Sequence, residues 1–209
     1  MNCRSRSGCR RAALGGVCQT STNGWLSARK AGVEGERQCP PDARHLLCST
    51  TTSGVSQLWT LQLDGDRQPR RFAQSQFAAS DGRCSPDGRW VAYASTESGG
   101  SGVYVAPFPE GAAKWQIAAG GSPRWHRDGR SIIFTGMFLT LFTADVDGRG
   151  TEFAVGDVRR LFELRARIEQ RSTYDVSADG ERLLVNSVDV GGSPEPVTLL
   201  VNWPATIKR

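Results

Sequence analysis

Short apolar runs separated by tight polar turns recur along the chain. The clearest example is the segment CSPDGRWVAYAS at 84–95, in which Trp90 and Tyr93 belong to a run of aromatic, β-branched and small residues. Before this run, Pro86 sets φ for the second position of a type I turn, and Gly88 supplies the left-handed residue that follows. A turn of this kind followed by such a run predicts a hairpin with a half-buried strand.

The same pattern occurs three more times, at 40–50, 125–135 and 176–186. The turn aspartates lie at positions 42, 87, 128 and 179, so the repeat has intervals of 41 to 51 residues. A second strand-like segment follows each turn. Repeats of this length with several strands each predict the blades of a β-propeller, and therefore an all-β fold of antiparallel strands. The residues to which we assign a structural role in the turns are Asp42, Asp87, Gly88, Asp128, Gly129, Asp179 and Gly180.

The chain divides into a leader and about four predicted blades. Residues 1–37 are rich in Arg, Gly, Ser and Thr without a sustained period, and they are predicted to be irregular or disordered. The blades are predicted within 38–209, at about 38–76, 77–118, 119–164 and 172–205. A ring of six or seven blades would need roughly 250 to 300 residues. Four repeats predict either a small closed ring or, as we favour, a partial ring.

Two segments are open to different predictions. The spacing of apolar residues at 161–170 is helix-like, but the flanking strands favour a strand followed by a loop. The fourth blade has only three predicted strands. A segment near 25–33 is therefore a candidate for a strand that joins the fourth blade and closes the ring.

The motifs resemble the TolB-like β-propeller family, whose repeat is a strand, Ser-Pro-Asp-Gly, a strand, and an (I/V)YV strand. Residues 85–88 match the tetrapeptide in full, and the other copies keep Asp-Gly or Pro-Asp, a WD-like pattern. The runs VYVAPFPEGAAKWQI, PRWHRDGRSIIF, YDVSADGERLLVN and VTLLVNW are similar to the propeller region that follows the kinase domain in bacterial serine/threonine receptor-type kinases. The resemblance covers about residues 39–205 and implies a periplasmic or other extracytoplasmic location.

The sequence lacks the catalytic motifs of enzymes that carry such propellers. There is no glycine-rich kinase loop, no HRD-type catalytic loop and no DFG motif, because the triplet His126-Arg127-Asp128 belongs to one of the repeated turns. There is also no GxSxG nucleophile elbow, no HExxH zinc motif and no histidine after His126. The turn aspartates could form a ring of metal or substrate ligands around the channel, but we favour a role in capping the repeated turns. The sequence therefore predicts no catalytic residue, no metal site, no cofactor and no enzymatic activity.

Charge and cysteines narrow the functional classes further. The formal net charge of +5 comes from the first 38 residues, so the blades are balanced and no nucleic-acid surface is predicted. No apolar stretch is long enough for a membrane span, and none near the start has the length of a secretory signal. All six cysteines lie in the first 84 residues. Cys48 and Cys84 occupy strand positions, and we interpret them as small buried hydrophobic residues.

These observations predict a non-catalytic propeller module that binds a protein or senses a ligand through loops on a rigid scaffold. By resemblance, it would be the sensor fragment of a bacterial serine/threonine kinase. The alternative is the propeller part of a serine peptidase or other hydrolase whose catalytic domain lies elsewhere. An open arc would expose apolar blade faces and strand edges, which predicts self-association.

Overall fold

The computed structural model describes residues 16–20, 26–30, 44–64, 68–73, 76–164, 173–177, 180–186 and 199–201. Their secondary structure consists of β-strands and a single 3-10 turn, and the strands form four antiparallel sheets and one separate hairpin. This confirms the predicted all-β fold. The described residues contain no helix that is long and apolar enough to span a membrane.

The hairpin consists of β1 (Gly16–Thr20) and β2 (Leu26–Lys30). The first sheet contains β3 (His45–Thr52), β4 (Val55–Gln62) and β5 (Pro69–Arg71). The second contains β6 (Ala79–Cys84), β7 (Trp90–Ser95), β8 (Gly102–Pro107) and β9 (Trp115–Ala119). The third contains β10 (Gly121–Trp125), β11 (Ser131–Thr135), β12 (Thr140–Asp147) and β13 (Ala154–Glu163). The fourth contains β14 (Tyr174–Val176), β15 (Arg182–Val185) and β16 (Leu199–Val201).

Each of the four sheets is a meander whose strands follow one another in sequence order. The first, third and fourth meanders lie within the segments predicted as blades, and the second extends one residue past its predicted end, to Ala119. The segment with helix-like spacing is a strand as far as Glu163, as favoured from its flanking strands, and 165–170 lie outside the described residues.

The core lies between neighbouring sheets. All six residues of β7 are buried, because alternate side chains of the strand face different neighbours. Val91 and Tyr93 pack with Leu47 and Leu58 of the first sheet. Trp90 packs toward the third sheet instead. This arrangement explains why the middle strands have continuous apolar runs, and it is the face-to-face stacking expected of propeller blades.

The leader contains a hairpin that the sequence did not predict. β1 pairs antiparallel with β2, with Gly16 opposite Lys30, and β1 lies beside β3 of the first sheet. β2 falls within the segment near 25–33 that was a candidate for a strand, but the prediction of an irregular leader is wrong for β1; the rest of 1–37 lies outside the described residues. Five-residue strands are too short to show a reliable period. Among the described strands β2 pairs with β1 alone, so this segment does not supply the fourth sheet with the additional strand for which it was a candidate.

The cysteine interpretation needs a correction as well. Cys48 and Cys84 are buried or partly buried on β3 and β6, as expected, but both are disulfide-bonded. They are therefore cross-links and not only small hydrophobic residues. The sequence could not show this, because six cysteines allow fifteen pairings.

The four sheets form an open arc. On β15, Leu183 is buried against the third sheet, whereas Leu184 on the opposite face is 49% exposed. The outer face of the fourth sheet is therefore accessible in the described part of the chain. Self-association through such a face stays a prediction.

Candidate functional site

The turn between β6 and β7 is built around Asp87. Its carboxylate accepts hydrogen bonds from the Ser85 hydroxyl at 2.5 Å and from the Arg89 backbone N–H at 3.1 Å. Gly88 has φ of +72°, which a residue with a Cβ adopts only at a cost. The Ser85 hydroxyl also accepts the Trp90 N–H at 3.0 Å. Asp87 thus satisfies donors within the turn and fixes the start of β7.

The turn between β10 and β11 repeats this geometry. The Asp128 carboxylate accepts the Arg130 N–H at 2.8 Å and lies 2.9 Å from Nδ1 of His126. Burial alone would raise the pKa of Asp128, but the Arg130 N–H and His126 together hold that pKa below its ordinary value. Gly129 has φ of +68°.

The fourth copy of the turn is only partly described. Gly180 has φ of +77° and donates its N–H to the Ser177 carbonyl at 2.8 Å. Asp42 and Asp179 lie outside the described residues. Asp87 and Asp128 serve separate turns, and no group of three or more His, Cys, Asp or Glu side chains in the described segments could hold a metal ion.

The turn at Asp87 positions the side chains of Arg89 and Trp90, which form hydrogen bonds to the third sheet. The Arg89 guanidinium donates to the carbonyls of Gly148 at 3.1 Å, Arg149 at 3.0 Å and Gly150 at 2.7 Å. The Trp90 indole N–H donates to Gly148 at 2.9 Å. These bonds fix the loop between β12 and β13 against the second sheet. The arrangement joins residues that are 58 to 61 positions apart in sequence, so sequence reasoning missed it.

The first strand of the third sheet, β10, contacts both β6 and β14, the first strands of the two neighbouring sheets, and these three strands form the inner side of the arc. Asp81 in β6 and Ser122 in β10 occupy equivalent positions where the strand register shifts, and they have φ of +52° and +50°. The Ser122 hydroxyl donates to the Asp81 carboxylate at 3.4 Å. Residues other than glycine adopt this conformation at a cost of about 1–2 kcal/mol. The repeated bulge places polar side chains of neighbouring sheets together at the centre.

A buried arginine connects β10 to β14. The Arg124 side chain is only 4% exposed, and its Nε donates to Asp175 at 3.2 Å. Its guanidinium lies over the Tyr174 ring, 5.5 Å from the ring centroid. The Tyr174 hydroxyl lies 2.7 Å from the Ser122 carbonyl and 2.9 Å from the Ile133 carbonyl. Burial raises the pKa of Tyr174 and outweighs the lowering by Arg124, so the hydroxyl remains protonated and donates.

Tyr174→Phe is expected to lower the free energy of unfolding by about 1–3 kcal/mol, because it leaves buried carbonyls without their donor. Urea denaturation measures the loss. Tyr104→Phe is the matched control, since the Tyr104 hydroxyl makes no hydrogen bond among the described residues. Equal losses in the two variants would contradict a role for the Tyr174 hydrogen bonds.

An apolar tip protrudes between β11 and β12. Within the 3-10 turn Met137–Leu139, Met137 is 74% exposed and Phe138 is 85% exposed. Phe138 and Leu139 have φ of +54° and +55°. The base of the tip is fixed, because the Leu139 carbonyl accepts the Leu164 N–H at 3.0 Å and the Phe142 ring packs over Gly136. We refer to Met137 and Phe138 as the apolar tip.

No protein-family model matches the chain, and neither does any curated protein. Solved structures do match. TolB from Acinetobacter baumannii has a TM-score of 0.57 at 17% identity, over 87% of this chain and 44% of that protein. A putative TolB from Agrobacterium tumefaciens has a TM-score of 0.56 at 19% identity, over 78% and 59% of the two chains. The Cps50 (Swd1) β-propeller domain from Myceliophteria thermophila has a TM-score of 0.57 at 10% identity, over 85% and 59%.

These similarities show the fold: four blades of a β-propeller, like those of TolB and of other propeller proteins. The chain spans about half the length of the solved structures that it matches.

Proposed function

We propose that this chain is a non-catalytic β-propeller module that recognises a protein partner through the apolar tip. The observation that best supports this proposal is the exposure of Met137 and Phe138 on a turn whose base is fixed by the third sheet. Aromatic residues and methionine are enriched in protein interfaces, where a few anchors supply most of the binding energy. A rigid scaffold that presents a short loop is the usual way in which propellers and similar folds bind partners.

The backbone of the tip supports the same proposal. Two consecutive residues with a Cβ, Phe138 and Leu139, adopt the left-handed conformation, at a cost of about 1–2 kcal/mol each. Burial of Phe138 does not offset this cost, because the side chain is almost fully exposed. Strained backbone that carries an exposed aromatic side chain is characteristic of binding segments.

The finer form of the proposal is a sensor region of a bacterial serine/threonine receptor-type kinase, and it is based on the sequence runs at 103–117 and 123–134. The disulfide bonds of Cys48 and Cys84 agree with an oxidising, extracytoplasmic location.

The proposal is tested with a photo-crosslinking amino acid at position 138 in the full chain, expressed in the source organism. We expect a discrete crosslinked protein. Position 158 on β13 is the control, because Val158 is also exposed but lies on a sheet edge. The absence of a product specific to position 138, or turnover of a substrate by the purified chain, would overturn the proposal.

Phe138→Gly should raise the free energy of unfolding by about 0.5–1 kcal/mol, because glycine adopts the left-handed conformation without a Cβ conflict. The greater conformational entropy of glycine in the unfolded chain offsets part of this gain. The same variant should bind the crosslinked partner more weakly. Urea denaturation and a binding titration with the purified partner measure the two effects. A variant that is less stable, or that binds as tightly as the wild type, would contradict a binding role for Phe138.

A further inference from the structure

Cys48 and Cys84 are both disulfide-bonded, but their side chains lie on different sides of the first sheet. Cys48 belongs to a buried cluster with Leu46 and Leu61, whereas the intervening Leu47 belongs to the core between the first two sheets. Successive side chains of a strand point to opposite faces, so Cys48 points away from the second sheet. Cys84, on β6 of the second sheet, packs against the core that contains Leu47. The backbone of the first sheet therefore lies between the two cysteines.

This separation is incompatible with a bond between Cys48 and Cys84. A disulfide requires Cβ atoms about 3.5–4.5 Å apart that are directed toward each other. Packed sheets lie about 10 Å apart, and Cys48 is directed away from the gap into which Cys84 packs. Each of the two cysteines must therefore have another partner.

The sequence restricts where those partners are. It contains six cysteines, and the other four lie at positions 3, 9, 18 and 39. We propose that Cys48 and Cys84 form two separate disulfides with cysteines of segment 1–39, that this segment is thereby attached covalently to the first and second sheets, and that a dithiol reductant releases it. This inference does not depend on the proposed function of the apolar tip.

The attachment through Cys48 bears on the outer face of the first sheet, the face that points away from the second sheet. Leu46, Cys48 and Leu61 on this face are only 5%, 2% and 6% exposed. β1, which belongs to segment 1–39, contacts β3, the strand that carries Cys48. The apolar outer face is therefore covered in the oxidised chain, and a bond from Cys48 to segment 1–39 would hold that segment next to it.

Reduction would open both bonds by thiol–disulfide exchange. A thiolate of dithiothreitol attacks one sulfur of the protein disulfide and forms a mixed disulfide, and the second thiol of the reagent then displaces the protein sulfur and closes a cyclic disulfide. Each protein bond takes up two electrons and two protons and becomes two thiols. Only non-covalent contacts such as those of β1 with β3 then hold segment 1–39, so the face that carries Leu46 and Leu61 can become accessible. An accessible apolar face is a surface for association.

Disulfide mapping of the unreduced chain by mass spectrometry tests the connectivity. Trypsin places each cysteine in a separate peptide, because an arginine lies between every two successive cysteines of the sequence. Cys48 falls in peptide 45–67 and Cys84 in peptide 84–89. We expect each of these peptides to be linked to a different peptide from within 1–44. A linkage between 45–67 and 84–89 would overturn the proposal.

The number of free thiols gives a second test of the connectivity. Two separate bonds occupy four of the six cysteines, so at most two thiols should react in the denatured, unreduced chain. A single bond between Cys48 and Cys84 would leave up to four. More than two reactive thiols would therefore overturn the proposal.

Hydrogen–deuterium exchange of the full chain, with and without dithiothreitol, tests the release. We expect exchange in β1, β2 and β3 to become at least about tenfold faster on reduction, and exchange in β11 of the third sheet to stay unchanged. Cys48→Ser should accelerate exchange in β3 without reductant. Cys84→Ser is the matched control, since it removes the other bond and leaves the bond at the outer face. Exchange that reduction does not change, or that rises equally in β11, would show that the bonds do not control segment 1–39.

Discussion

Replacing Trp90 by alanine is expected to lower the free energy of unfolding by about 3–5 kcal/mol, the range for removing a buried aromatic side chain. Trp90 is 4% exposed, and its ring centroid lies 5.0 Å from that of Phe153 and 5.6 Å from that of Trp115. The alanine variant would leave a cavity between the second and third sheets. Because domains of this size are stable by only about 5–15 kcal/mol, the third and fourth sheets would lose much of their attachment.

Trp90→Phe separates packing from hydrogen bonding in the same position. Phenylalanine keeps most of the ring contacts but removes the indole N–H that donates to Gly148. The expected loss is about 1 kcal/mol, because the Gly148 carbonyl still accepts a bond from Arg89. Guanidinium denaturation followed by circular dichroism measures both variants. A loss below about 1 kcal/mol for Trp90→Ala would contradict the view that this residue holds the second and third sheets together.

The strands and turns could be predicted because their signals are local. The turn at Asp87 is specified by four consecutive residues, and β8 is the second strand-like segment predicted to follow that turn. Alternation over a few residues then identifies a strand, and the repeat interval identifies the architecture. The number of repeats allowed a small closed ring or a partial ring, and the open arc of the structure agrees with the partial ring that we favoured.

The candidate sites depend on contacts between distant parts of the chain, and these have no local signal. In the sequence, Arg89 is only the residue that precedes β7. Its hydrogen bond to the Gly148 carbonyl arises because the second and third sheets stack on each other. The left-handed backbone at Phe138 is also invisible in the sequence, because phenylalanine does not favour it.

The disulfide bonds could not be predicted from the sequence for a different reason: a cysteine in a strand is compatible with a free thiol and with a cross-link. Cys48 belongs to a small buried cluster with Leu46 and Leu61 on the face of the first sheet that points away from the second. Cys84 lies at the end of β6, where it packs against the core between the first two sheets. The first and second sheets therefore each contain a covalently cross-linked cysteine. Each cross-link stabilises the fold by lowering the conformational entropy of the unfolded chain.

Cys48→Ala is therefore expected to lower the free energy of unfolding by about 2–5 kcal/mol in the absence of reductant, the range for removing a native disulfide. In the presence of dithiothreitol, wild type and variant both lack the bond, and the difference should shrink to about 1 kcal/mol or less, the cost of replacing a buried thiol. Chemical denaturation with and without reductant measures both differences.

Thiol titration of the denatured, unreduced chain provides the independent check. With Cys48 and Cys84 both bonded, at most four of the six cysteines should react. Six reactive thiols, together with a stability difference that reductant does not change, would show that Cys48 contributes only by packing. The result also bears on location, because disulfides persist in oxidising compartments and are rare where thiols are kept reduced. A stability that depends on the bond would require the chain to fold in such a compartment, as the proposed extracytoplasmic recognition module would.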